Sequence, residues 1–187
     1  MAKGELLRDR IAAAIIDSAA TILAERGEAV SMEEIASAAG IGRATLYRYF
    51  PNREALLKAM AVMSVQELAA RIREADLEAV PFEEAIARLA RGIIATGSKY
   101  MALVGDGMRR SDSDPRIGVE VIDPIRAVFR RASADGSLRG DVPPDLLMDL
   151  FTGLIKGALD VTSNRRRGVE ETAAAVTTVF LRGAGAS

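Results

Sequence analysis

Apolar residues recur every three or four positions over most of this chain, with charged and polar residues between them. That interval is the signature of amphipathic helices rather than strands. Leu7, Ile11, Ile15 and Ile22, with Ala14, Ala19 and Leu23, predict a first helix over about 7–25 that stops near Gly27. Ser31-Met32-Glu33-Glu34 has the form of a capping box, in which serine and glutamate satisfy each other's backbone N–H groups, so a second helix starts at about Met32. Met32, Ile35, Ala36 and Ala39 form its inward face, and Gly40 supplies the left-handed residue that lets the chain leave. A third short helix covers about 42–49 and is broken by Pro51-Asn52.

Two short helices joined by a glycine-bearing turn make a helix-turn-helix. Asn52 can cap a fourth helix over about 53–75, with Leu56, Leu57, Met60, Met63 and Leu68 as its apolar positions. Pro81 opens a helix to about Thr96, followed by a shorter segment around Tyr100–Arg110 and the polar loop "SDSDPR". Further helices are expected at about 119–134, from Pro143-Pro144 to about Thr162, and over 169–181, leaving "GAGAS" as a frayed tail. The fold class is therefore all-α, about nine helices, with a three-helix N-terminal bundle over 1–52 and a larger helical domain over 53–187.

Composition narrows the chemistry. The chain has no cysteine and no histidine, which removes thiolate metal sites, cysteine nucleophiles and the commonest general base. No cofactor is expected. The start "MAKGELLRDR" lacks the apolar core of a signal peptide, and no later segment reaches the run needed for a membrane span, so a cytoplasmic protein with no membrane partner is expected. Net charge is -1, so any polyanionic partner must be met locally. Such a place exists: residues 40–58 carry Arg43, Arg48, Arg53 and Lys58 against Glu54 alone.

That basic stretch contains "GIGRATLYRYFPNREALL". On a helical wheel Leu46 and Phe50 point inward, Ala44, Thr45, Tyr47 and Arg48 point outward, and Tyr49 lies near the boundary. The order and spacing of Ser31, Ile35, Ala36, Ala39-Gly40-Ile41, Thr45-Leu46-Tyr47, Tyr49-Phe50, Arg53 and Leu56-Leu57 resembles the TetR family of bacterial transcriptional regulators. The resemblance implies three DNA-binding helices, a fourth that links domains, and about five more that hold a small ligand and dimerise. Arg43 at the helix N-terminus suits a bidentate guanine contact, while Ala44 and the Tyr47 ring suit thymine methyls. Ser31, the hydroxyls of Thr45, Tyr47 and Tyr49, and the Arg53 cation suit phosphates, which fix register without reading sequence.

The helix "PDLLMDLFTGLIKGALDV" is apolar over two stripes: Leu147, Phe151, Leu154 and Ala158, and Leu146, Leu150, Gly153 and Gly157. One stripe can face the chain's own core and the other a second copy, with Val169, Ala173, Val176 and Phe180 of the last helix joining in. A homodimer closed by a four-helix bundle is expected, its interface including Leu150, Gly153, Leu154, Gly157, Val176 and Phe180. Such a dimer suits a palindromic double-stranded operator. For the small-molecule effector, expected to be apolar or amphipathic, Met63, Met101, Phe129 and Phe151 are the candidate lining, and Lys99, Asp106 and Arg109 are candidate polar anchors. Arg165-Arg166-Arg167 is expected in a solvated loop or as a carbonyl-capping cluster. The whole implies a dimeric repressor released by its ligand. Two alternatives fit the same residues: a helical ligand carrier or enzyme of this fold without DNA binding, and an activator.

Overall fold

The computed structural model describes residues 2–27, 29–100, 115–163 and 167–185, and every regular element among them is helical. In order these are α1 (Ala2–Arg26), α2 (Met32–Ala38), α3 (Arg43–Tyr49), α4 (Arg53–Glu74), α5 (Phe82–Lys99), α6 (Asp123–Ala134), α7 (Pro144–Ser163) and α8 (Val169–Ala184). A short α-helical turn, Pro115–Ile117, and a π-helical stretch, Gly118–Ile122, lead into α6. The helix expected around Tyr100–Arg110 lies, apart from Tyr100, outside the described residues, as does most of the loop after it.

The capped helices begin where their caps put them. Ser31 is extended, at φ -80 and ψ 162, and both bonds of the capping box are present. Asn52 Oδ1 accepts from the Ala55 N–H at 2.8 Å. Elsewhere non-local forces move the boundaries. Leu7 is exposed rather than inward, and the buried face of α1 starts at Ile15; the earlier turns are rich in good helix formers and need no burial. The fifth helix continues through Gly97 because that glycine is a packing residue, not a stop: a Cβ there would lie 2.5 Å from Leu159 Cδ2. Pro124 has no N–H and its ring crowds the carbonyl four residues back, and the widened π turn just before it absorbs that mismatch.

The tail is also tied down further than expected. Leu138 and Gly185 form an isolated antiparallel bridge. The Arg139 N–H donates to Ala184 O at 3.1 Å, and its guanidinium donates to Gly183 O at 2.9 Å. Carbonyls at a helix C-terminus have no partner within the helix, and Arg139 supplies one from the turn after α6. Asp141 holds the same guanidinium at 2.6 and 2.7 Å.

The chain divides into two compact units. The first takes α1, α2, α3, α4 as far as Ser64, and Lys99 with Tyr100. Its core includes Ile15, Ala19, Leu23, Ile35, Leu46, Leu56 and Met60, none more than 2% exposed, with Phe50 and Tyr100 in the same cluster. Lys99 Nζ pairs with Asp17 on α1 at 2.8 Å. The second unit takes the rest of α4 and α5 and the later helices. Its centre is aromatic: Phe82, Phe129, Phe151 and Phe180, one each from α5, α6, α7 and α8, pack with ring centroids 5.1 to 6.0 Å apart. Edge and tilted contacts of this kind add about 0.5–1.5 kcal/mol per pair beyond simple burial. Arg131 closes the α4–α5 connection by donating to the carbonyls of Leu77, Glu78 and Val80 at 2.8 to 2.9 Å.

Candidate nucleic-acid interface

The turn between α2 and α3 sets the direction of the third helix. Gly40 has φ +66, its N–H donates to Ser37 O at 3.1 Å, and the Ile41 N–H donates to Ala36 O at 3.0 Å. A left-handed residue at the end of a helix is cheapest as glycine. Gly42 is extended and starts α3, its carbonyl accepting from the N–H groups of Thr45 and Leu46. Leu46 is fully buried and Phe50 nearly so. Those two anchors turn the opposite face of α3 outward.

Along α3, Arg43, Ala44 and Arg48 are exposed and Thr45, Tyr47 and Tyr49 are half-buried; Ala44, Thr45 and Arg48 lie opposite the anchors, while Arg43 and Tyr49 flank them. Both tyrosine rings rest against the edge of the core. Two guanidinium groups lie over them: Arg43 Cζ is 5.5 Å from the centroid of Tyr47, and Arg48 Cζ is 5.8 Å from that of Tyr49. The result is a convex surface of cations and aromatic edges, with Ala44 as a low point that a groove floor can approach.

Ser31 and Arg53 have structural partners as well as the positions expected of phosphate contacts. The Ser31 hydroxyl and N–H both donate to Glu34 Oε2 at 2.9 Å, and the hydroxyl accepts from the Glu34 N–H at 3.3 Å. The bond from the Ser31 backbone, then its hydroxyl, then Arg26 hold the Glu34 carboxyl below its ordinary pKa. Arg53 is half-buried and donates to Val30 O, tying the start of α4 to the residue before the α2 cap. A residue that the spacing did not single out stands beside them: Glu33, exposed on α2, pairs with Arg43 across 2.9 Å. Its only signal in the sequence is an outward position about two turns before the glycine bend.

The expected partner surface is largely open. Leu146, Leu150 and Val161 on α7 and Val179 on α8 are exposed. A Cβ built at Gly153 or Gly157 meets nothing within 4 Å, so the chain's own packing does not require glycine there. All of these except Leu146 border an apolar groove of about 990 Å³ whose lining includes Leu150, Leu154, Gly157 and Val179, with the buried Val176 and Phe180 beneath. Phe180 thus also belongs to the aromatic centre.

Of the expected effector residues, Phe129 and Phe151 are together in that centre, while Met63 packs on the core of the first unit. Met101, Asp106 and Arg109 lie outside the described residues. The hydroxyl of Thr96, 3% exposed on α5, has no hydrogen-bond partner among the described residues. Buried hydroxyls are nearly always partnered. Arg167 pairs with Glu171 in the next turn, and Arg165 and Arg166 lie outside the described residues. Among the described residues no helix is long and apolar enough to cross a membrane.

Comparison with known proteins bears directly on this surface. Residues 15–60 match the family model described as bacterial regulatory proteins, tetR family. The chain is 30% identical over 159 residues to the HTH-type transcriptional repressor LfrR of Mycolicibacterium smegmatis, covering 84% of this chain and 82% of that protein. It is 25% identical over 181 residues to the HTH-type transcriptional regulator NfxB of Pseudomonas aeruginosa, covering 91% and 92%. The crystal structure of LfrR from Mycobacterium smegmatis in complex with proflavine superposes with a TM-score of 0.73 at 26% identity, covering 93% of this chain and 96% of that one.

Proposed function

Since the chain belongs to the TetR family of bacterial regulatory proteins, we propose that it is a dimeric repressor that binds a palindromic operator and lets go when a small molecule binds. The observation that carries the reading is the outward face of α3, where Ala44, Thr45 and Tyr47 stand away from the Leu46 and Phe50 anchors and the exposed Arg43 opens the helix beside them. Arg43 reads a guanine and Ala44 and Tyr47 meet thymine methyls. Ser31, Thr45, Tyr49 and Arg53 take phosphates, Ser31 by exchanging its bond to Glu34 and Arg53 while it braces Val30.

Two copies joined through α7 and α8 would set their α3 helices about one DNA turn apart, roughly 34–36 Å, the spacing at which successive major grooves face the same way. The two glycines with open space above them favour this, because they allow a second backbone to come close.

The effector site belongs to the second unit by this reading. Thr96 supplies a buried hydroxyl in search of a partner, and Phe129 and Phe151 supply aromatic surface. The LfrR crystal structure holds proflavine, an amphipathic aromatic of the expected kind. The first part of α4, to Ser64, belongs to one unit and the remainder to the other, and by this reading α4 carries the effector's signal. For release, the effector must favour the non-binding state by a few kcal/mol. The location follows, since operator DNA is in the cytoplasm.

Selection of duplexes from a random pool, followed by titration of the recovered sequence with proflavine and related amphipaths, tests this. A palindrome with two half-sites one turn apart, released by a ligand that binds the protein, is expected. Recovery of no sequence above background would end the repressor reading and leave the carrier.

A further inference from the structure

The guanidinium of Arg43 is held from two directions. Its Nη2 lies 2.9 Å from Glu33 Oε1 on α2, and its Cζ lies 5.5 Å from the ring centroid of Tyr47, one turn along α3. The three side chains come from both helices of the helix-turn-helix. Glu33 and Arg43 stay open to solvent, with side chains 48% and 67% exposed. An ion pair so exposed adds little to the stability of a fold. A carboxylate there also opposes DNA, because it brings negative charge to the surface that must meet phosphates. Its place in the first turn of α2 gives Glu33 a modest helix-stabilising role, but neither that role nor affinity for DNA requires its pairing with Arg43.

We infer that Glu33 is a specificity-determining residue of the DNA-reading surface: its carboxylate and the Tyr47 ring hold the Arg43 guanidinium in the orientation that reads one guanine per half-site. This rests on the proposed entry of α3 into the major groove. A guanidinium carries five N–H donors in a rigid planar fork. Glu33 engages Nη2, and donors remain on the other edges for guanine O6 and N7. The aromatic face below fixes the plane of the fork. An arginine on an exposed helix end otherwise samples many rotamers, and in most of them it can meet a phosphate of any sequence. Restraining it lowers the entropy lost on reading the base while withholding the cation from non-specific contacts. Glu33 thus gives up some affinity for DNA in general in exchange for discrimination at one base pair.

The test uses the full-length dimer with Glu33→Gln, Arg43→Ala and the double substitution, after circular dichroism shows each folded. Binding is measured to the duplex selected by the unsubstituted protein, to the same duplex with each G·C pair changed in turn, and to random-sequence duplex. Arg43→Ala should abolish the preference for one G·C pair in each half-site. Glu33→Gln should reduce the preference at that same pair on the order of tenfold, the scale of a weakened bidentate contact, while raising affinity for random-sequence DNA. In the Arg43→Ala background it should change no base preference.

An unaltered preference with tighter random binding would reduce Glu33 to a repulsive charge and overturn the inference. A sharpened preference would also overturn it, since Glu33 would then be masking Arg43. If Arg43→Ala itself left operator binding and base preference intact, the placement of α3 in the groove would fail first.

Discussion

Leu150 gives the most direct test of the dimer. Its side chain stands on α7 with 54% of the residue exposed, in a groove that the chain does not fill. Full burial of a leucine side chain is worth about 1.5–3 kcal/mol, so covering the open half contributes about 0.8–1.5 kcal/mol. In a two-fold interface each contact occurs twice, so Leu150→Ala should weaken the dimer by about 1.5–3 kcal/mol, roughly 10- to 150-fold in dissociation constant. Leu150→Glu should go further, because it sets two carboxylates in a mostly apolar seam already bordered by Asp149 and Glu171. The fold of one protomer should survive either change, since an exposed position away from caps and core ordinarily moves stability by no more than about 0.5 kcal/mol. Sedimentation equilibrium measures the dissociation constant. Far-UV circular dichroism at room temperature checks the helices; a melting midpoint would not serve, because dimerisation itself raises it. Operator binding should fall with the dimer, as a monomer reads only one half-site. A Leu150→Glu protein with the unsubstituted dissociation constant would refute the assignment of this face. A protein that lost its helicity would show instead that Leu150 serves the chain's own core.

Tyr47→Ala should cut affinity for the selected operator by about 1–3 kcal/mol, the worth of one good base contact; because the ring also rests on the core, Tyr47→Phe separates the hydroxyl from the packing, and unchanged binding in both by fluorescence anisotropy would mean that another face meets DNA. Thr96→Val removes a buried hydroxyl with no partner among the described residues and should raise urea stability by about 1 kcal/mol, with weaker effector binding where that hydroxyl anchors the ligand; a less stable protein would show that the hydroxyl is satisfied. Glu34 has its pKa lowered on folding, chiefly by the Ser31 backbone bond, so its contribution to stability is present above the ordinary carboxylate pKa and is lost as pH falls through the lower folded value. Urea midpoints followed from neutral to acid pH should decline less steeply for Glu34→Gln, and parallel curves would remove the capping box from the acid response.

The parts of this protein that its sequence disclosed are those whose causes lie within a few residues. The Ser31–Glu34 box, the Gly40 bend and the Asn52 cap each satisfy backbone groups nearby, and the face of α3 follows once Leu46 and Phe50 are taken as anchors. The stripe of α7 that faces the chain's own core could also be read: Leu147, Phe151 and Ala158 are buried, while Leu146 and Leu150 on the other stripe stand exposed. What stayed hidden depends on residues far apart in the chain. The role of Gly97 was hidden because Leu159, against which it packs, comes more than sixty positions later. The tail looked frayed because Arg139, which holds its carbonyls, sits before α7. The effector lining was the least legible: every methionine and phenylalanine suits both a core and a cavity, and four of the five phenylalanines proved to be one aromatic centre. Glu33 marks the same boundary at the DNA-reading surface. As a sequence position it is an ordinary polar residue on the outer side of a short helix; its relation to Arg43 exists only after the Gly40 bend has brought α3 back across α2. The substitutions at Glu33 and Arg43 measure how much of the base preference rests on this second-helix residue.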